Sequence, residues 1–117
     1  MLSAQSRLRD PELFRKVFRF GERAGNRKLV VHVLTGEVSQ NERLVGFVVP
    51  KKVFARAVAR NKVKRQLRHI CRERVQTLPP RTILVIRVLE GARGSDYHEL
   101  EEAVDDALSR ALARSAK

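Results

Sequence analysis

Arg60, Lys62, Lys64, Arg65 and Arg68 fall within the nine residues RNKVKRQLR, where Val63 and Leu67 are the only aliphatic side chains. Cations at this density are a means of neutralising phosphate oxygens: arginine offers a planar two-pronged donor and lysine a compact charge. Across residues 51–74 the cations are Lys51, Lys52, Arg56, Arg60, Lys62, Lys64, Arg65, Arg68, Arg72 and Arg74, against the single acid Glu73. Like charges four apart on a helix, as in Arg60–Lys64–Arg68–Arg72, each cost about 0.2–0.5 kcal/mol. A solvated face is the ordinary reading of a charged helix, but natural surfaces intersperse both signs. A helix that keeps so much repulsion points to a bound polyanion that offsets it.

The chemistry the sequence lacks is equally informative. His32, His69 and His98 are isolated, and no Cys/His/Asp spacing resembles a metal site. Glu99, Glu101, Glu102, Asp105 and Asp106 imitate a carboxylate cluster, yet they read as the outer side of an amphipathic helix, with Arg110 placed to pair with Asp106. No nucleophile–base motif, phosphate-binding glycine loop or carboxylate beside the basic strip is present. The sequence therefore offers no catalytic residue and no metal ligand, and the polypeptide alone is unequipped to cut a chain.

Composition agrees. With 25 Lys and Arg against 13 Asp and Glu, the 117-residue chain carries a formal charge of +12 and a pI near 11.2. Nucleic acid is the leading class of partner for such a charge, and an anionic membrane surface the second. A hydrophobic content of 43% suits a globular protein, and the length suits one domain spanning 1–117. The single cysteine, Cys71, excludes an internal disulfide and fits a reducing compartment. The opening MLSAQSRLRDPELF lacks the apolar core of a signal peptide, and no apolar run approaches the roughly 18 residues of a membrane span. The expected location is the cytoplasm.

The elements that must position these residues follow from periodicity. Pro11–Phe20 predicts a helix capped by Asp10 and ended by Gly21. Leu13, Val17 and Phe20 form its core stripe, and Phe14 and Phe18 form a second ridge that is either core or a stacking platform for single-stranded bases. LVVHVL (29–34) and RLVGFVV (43–49) read as strands of an antiparallel hairpin joined by TGEVSQNE. Alternation sets Leu29, Val31 and Val33 opposite Val30, His32 and Leu34, and Val45, Phe47 and Val49 opposite Gly46 and Val48.

From about Arg56 to Thr77 the period is helical, with Val63, Leu67, Ile70 and the stem of Arg74 as the buried stripe and Pro79–Pro80 as the stop. RTILVIRVL (81–89) reads as a strand in the middle of a sheet, with its one internal charge, Arg87, on the face of Ile83 and Val85. A last helix starts at Asp96, in capping-box spacing with Glu99, and buries Tyr97, Leu100, Val104, Ala107, Leu108 and Ala111. The order is α-β-β-α-β-α, with room for one more short strand near Glu22–Ala24. The class is α+β: a single-domain α-β sandwich, one sheet with helices packed against it.

The stretch VGFVVPKKVFARAVARNKVKRQLRHICRE resembles the signature of the bacterial ribonuclease P protein subunit: a strand ending in a Lys pair, then a helix carrying R-N-[RK]-x-K-R-x-x-R. Arg7, Leu8, Phe14, Val17 and Phe18 match the family's opening R-L and F-x-x-V-F helix, and Asn26–Arg27 its N-R before the first long strand. The resemblance implies a central sheet with a left-handed β-α-β crossover, an exception to the usual handedness and similar to a ribosomal protein domain-2-like fold. It implies as partners the catalytic ribonuclease P RNA and precursor tRNA, whose 5′ leader that RNA removes with Mg²⁺. Neither a small-molecule substrate nor a membrane is implied.

By the same resemblance, Arg60, Asn61, Lys62, Lys64, Arg65, Arg68 and Arg72 are expected on the catalytic RNA. Phe14, Arg15, Phe18, Arg27, Val30, His32, Val48, Lys51 and Lys52 are expected on the leader, between the first helix and the open sheet face. Lys62 stands where Arg is common, Val48 and Pro50 where small residues are common, and His32 where an aromatic ring is frequent. The rival readings are a ribosomal or RNA-chaperone module, a DNA-bending protein and, last, a free-standing nuclease.

Overall fold

The computed structural model describes residues 6–39 and 42–116. Residues 1–5 of the opening stretch, Gln40 and Asn41 of the segment between the first two long strands, and Lys117 lie outside the described residues. In chain order the elements are α1 (Pro11–Phe20), β1 (Glu22–Gly25), β2 (Leu29–Thr35), β3 (Arg43–Val48), α2 (Ala57–Arg74), β4 (Thr82–Val88) and α3 (Tyr97–Ser115), with short 3-10 turns at Val75–Thr77 and Glu90–Ala92. The additional strand expected near Glu22–Ala24 is β1.

Local signals set the helix ends. The Asp10 carboxylate accepts from the Glu12 N–H at 2.9 Å and Pro11 opens α1. Gly21 closes it because a side chain there would strike backbone: a Cβ would lie 2.6 Å from the Val17 carbonyl oxygen and 2.8 Å from that of Val33. Asp96 and Glu99 form the reciprocal capping box at 2.8 and 3.0 Å. β4 begins one residue later than its apolar run suggests. Arg81 takes a left-handed φ of 63° and clasps the turn that follows β2, donating from Nε to the Val38 carbonyl and from Nη2 to that of Gly36.

The expected hairpin does not form. The strand order is β1-β2-β4-β3, so β4 separates β2 from β3, running antiparallel to the first and parallel to the second. Alternation fixes which face a side chain takes but not which strand lies beside it. The run ILVIRV needs cover on both faces and partners on both edges, and residues 36–42 are long enough to carry the chain past one intervening strand. The β3-α2-β4 unit is accordingly a parallel crossover.

Each sheet face carries its own core. Leu29, Val31, Val33, Val45, Val49, Leu84, Ile86 and Val88 pack under α2 and α3, against Val63, Leu67, Ile70, Cys71, Leu100, Val104, Ala107, Leu108 and Ala111. On the opposite face Leu8, Val17, Leu44, Ile83 and Val85 form a smaller cluster, joined by half-buried Leu13, Phe14, Leu34 and Val48. α1 thus lies alone on its side of the sheet. Phe20, expected in the core stripe, is 63% exposed, because α1 meets the sheet through Val17, which is fully buried, and the Phe20 ring lies instead under the Arg19 guanidinium.

Cys71 sits in the larger core, and burial pushes its thiol up to about 12 from an ordinary value of 9.0. Native protein should therefore resist alkylation that modifies the denatured chain at once. A raised acid contributes stability that is complete below about pH 9 and lost as pH climbs toward 12, since the unfolded thiol ionises first. Denaturant titrations from neutral to alkaline pH should show that decline in wild type and a smaller one in Cys71→Ala.

Candidate nucleic-acid interface

Most cations of α2 are left without a counter-ion. Arg74, at the end of its buried stripe, is bound by α3: Nε lies 2.9 Å from Asp105 Oδ1 and Nη2 lies 3.0 Å from Glu101 Oε2, which raises its pKa further. Asp106 pairs with Arg110 at 2.8 Å and also accepts from Asn26. Glu99 caps its helix, and Glu102 meets His98 at 2.9 Å. The acidic face of α3 is thus engaged rather than merely solvated. Lys62, Lys64, Arg65, Arg68 and Arg72 have no ion pair among the described residues; Lys62, Arg65 and Arg72 are exposed, as is Asn61, and Lys64 and Arg68 are half-buried.

Arg60, expected on the RNA with its neighbours, also makes contacts within the protein. Its Nη1 donates to the Phe54 carbonyl at 2.9 Å and to the Ala55 carbonyl at 2.8 Å, holding the segment that leads into α2. The spacing explains this, for Leu67, Cys71 and Arg74 follow Arg60 at i+7, i+11 and i+14, on the buried meridian of the helix. Arg60 fixes the α2 entry while its neighbours face outward.

The second surface lies across the sheet. The register places side chains of the α1 face in parallel rows: Leu34–Ile83–Leu44, then His32–Val85–Gly46, then Val30–Arg87–Val48. α1 covers the first two. The Phe14 ring fills the space over Gly46, where a Cβ would come within 2.6 Å of it, and Phe18 meets His32 edge-on, ring centroids 4.8 Å apart. The third row stays open, with half-buried Val30 and Val48 flanking exposed Arg87. At its end a concavity of about 490 Å³ is lined by Arg27, Pro50, Lys52 and Arg87, with Glu90 as its acid.

The aromatic ridge therefore divides. Phe14 is half-buried packing, and Phe18 is 39% exposed beside His32. Arg15 is exposed but paired with Glu12 at 3.0 Å. Arg27 is aimed by Asn26, whose side chain accepts from the Lys28 and Leu29 N–H groups and donates to the Ala103 carbonyl. Lys51 and Lys52 are exposed on the segment beyond β3.

His32 is buried, and its Nδ1 has no hydrogen-bond partner among the described residues. Burial first, then Arg23 and Arg87, lower its pKa, so near neutrality it serves as a flat uncharged ring under Phe18. Sequence reasoning passed over Arg87 as a site residue. Its signal was a lone charge inside an apolar strand, on the face away from the larger core.

The two surfaces occupy opposite faces of the sheet, joined around the β3 edge by residues 49–56. The family model described as Ribonuclease P matches residues 2–112. The chain belongs to the ribonuclease P protein family. A ribonuclease P protein component of a Nocardioides species is 48% identical over 94% of both chains, and that of Streptomyces avermitilis is 44% identical over the full length of both. The solved Thermotoga maritima RNase P protein superposes with a TM-score of 0.70 at 26% identity, over 86% of this chain and 92% of that one. The Staphylococcus aureus protein shares the fold, with a TM-score of 0.79 at 22% identity over 91% and 94%.

Within this family's basic helix, the structure separates a structural arginine from solvent-facing cations. Arg60→Ala should lower stability by about 1–3 kcal/mol through loss of its charged hydrogen bonds. Arg65→Ala should change it by less than about 0.5 kcal/mol. Denaturant titration of the two variants checks the difference.

Proposed function

We propose that this chain is the protein subunit of a ribonuclease P ribonucleoprotein that removes the 5′ leader from precursor tRNA in the cytoplasm. The observation that carries this reading is the pair of uncompensated cationic surfaces on opposite faces of one sheet. In this assignment Asn61, Lys62, Lys64, Arg65, Arg68 and Arg72 lie along the catalytic RNA and neutralise its phosphates, while Arg60 holds the helix entry that presents them. The leader passes along the Val30–Arg87–Val48 row, with Phe18 over His32 as its aromatic wall and Arg27, Lys51 and Lys52 toward its phosphates.

The work of the protein is binding and placement. Neutralised phosphates release counter-ions and supply affinity, and a leader held on a rigid sheet brings the scissile bond to a defined place on the RNA. Among the described residues no group of His, Cys, Asp or Glu side chains is placed to hold a metal ion. Mg²⁺, in this reading, is held by the RNA subunit and supplies the hydrolytic chemistry there.

The direct test is cleavage of precursor tRNA by a bacterial ribonuclease P RNA at low Mg²⁺. Added protein should stimulate it strongly, and protein freed of RNA should not cleave. Binding without stimulation would support an RNA-chaperone module instead. Arg65→Ala and Arg68→Ala should each weaken RNA binding and reduce the slope of log K against log[salt] by roughly one unit. A salt-independent affinity would remove α2 from the interface.

Precursor and mature tRNA separate the second surface from the first. Phe18→Ala should weaken precursor binding by roughly tenfold, the loss expected for one stacked base, and leave mature tRNA and assembly with the catalytic RNA nearly unchanged. Phe14→Ala is the poorer probe because its ring packs over Gly46. Equal losses for both tRNAs with Phe18→Ala would return that ring to a purely structural role.

A further inference from the structure

A niche between α2 and α3 borders the basic face of α2 and shares Arg65 with it. It is open, about 490 Å³ in volume, and lined by Arg65, Gln66 and His69 of α2 and by Tyr97 at the start of α3. Arg65, Gln66 and His69 share one side of the helix because they are spaced i, i+1 and i+4. His69 and Tyr97 meet edge-on, their ring centroids 5.7 Å apart and their planes inclined by 62°. An edge-on pair leaves a ring face free on each partner, and His69 is exposed while Tyr97 is half-buried against the larger core.

Three properties restrict what could occupy it. Its walls are flat rings and a guanidinium plane, which favour a planar aromatic group. Gln66 adds an amide that both donates and accepts at the rim. Arg65 and Lys62, both exposed and without an ion pair among the described residues, favour an occupant that carries negative charge beside its planar group. A second concavity, of about 520 Å³, continues past Gln66 and Tyr97 toward Lys62, Ser95 and Asp96, so a chain entering the niche has room to leave it.

We propose that this niche takes an unpaired nucleobase of the RNA bound along α2, stacked on His69 and Tyr97 with its phosphate toward Arg65 and Lys62. The inference rests on the assignment of α2 to the catalytic RNA and adds a base-stacking subsite to what is otherwise a phosphate-binding face. Phosphate contacts along a helix carry no direct information about an RNA's sequence. A base that must be unpaired to enter the niche does, since single-stranded bulges and loops are what aromatic side chains can capture.

The test uses the full-length protein and a bacterial ribonuclease P RNA. His69→Ala should weaken binding roughly tenfold, with an unchanged salt slope and an unchanged melting temperature, because His69 is exposed. His69→Phe, which restores a ring without the nitrogens, should recover most of the affinity. Tyr97→Phe should bind like wild type, since it keeps the ring. A His69→Ala protein that binds as tightly as wild type, or a His69→Phe protein as weak as His69→Ala, overturns the niche. Arg65→Ala in parallel distinguishes the two levels: loss of affinity and slope there, with no effect at His69, removes the niche alone. No loss at Arg65, Arg68 or His69 removes the α2 assignment and the niche together.

Discussion

β4 is enclosed on every side from Thr82 to Ile86. Its backbone is hydrogen-bonded to β2 along one edge and β3 along the other, and its side chains from Thr82 to Ile86 are buried on both faces. A strand in that position must be matched by apolar cover above and below, which is what α1 supplies on one side and α2 with α3 on the other. The insertion of β4 between β2 and β3 also sets the rows of the open face. It brings Val30 and Val48, from strands that are not neighbours, to either side of Arg87.

Charge is distributed by the same geometry. α3 neutralises Arg74 at the foot of α2 and, through Arg110 and Arg114, holds the Gly25 and Arg23 carbonyls of the edge strand β1. Those bonds satisfy carbonyls that an exposed strand edge would leave free. Its carboxylates are committed to Arg74, Arg110, Asn26, His98 and its own cap, so none is left for the outward cations of α2. The repulsion among Lys62, Lys64, Arg65, Arg68 and Arg72 therefore persists in the folded protein.

His32, Val48 and Lys62 find physical places in this arrangement. His32 lies under Phe18 and is kept toward its neutral form by burial and by Arg23 and Arg87. It keeps the flatness of a ring. Val48, on the edge strand, borders the open row with an apolar side chain, so this part of the groove relies on Arg87 for polarity. Lys62 keeps its charge while giving up the forked geometry of arginine, and it sits on the side of α2 that looks toward α3.

The sequence by itself determined the local elements, the membership of each strand residue in one face or the other, and the basic character of α2. Helix caps at Asp10 and Asp96, the stripe of Val63, Leu67 and Ile70, and the alternation through Leu29, Val31 and Val33 are all set by neighbours within a few residues, so they are legible without a fold. Strand partners are not, because a pattern of period two is satisfied by any neighbour; the hairpin of β2 with β3 was a reasonable expectation for that reason and gave way to β4. Tertiary packing also decided the roles of individual side chains. Phe20 left the core because α1 meets the sheet at Val17, Phe14 entered it because Gly46 leaves room for a ring, and Arg60 turned inward to hold the Phe54 and Ala55 carbonyls. Arg87 became a groove residue only when strands from distant parts of the chain came to lie beside it, which no local pattern encodes.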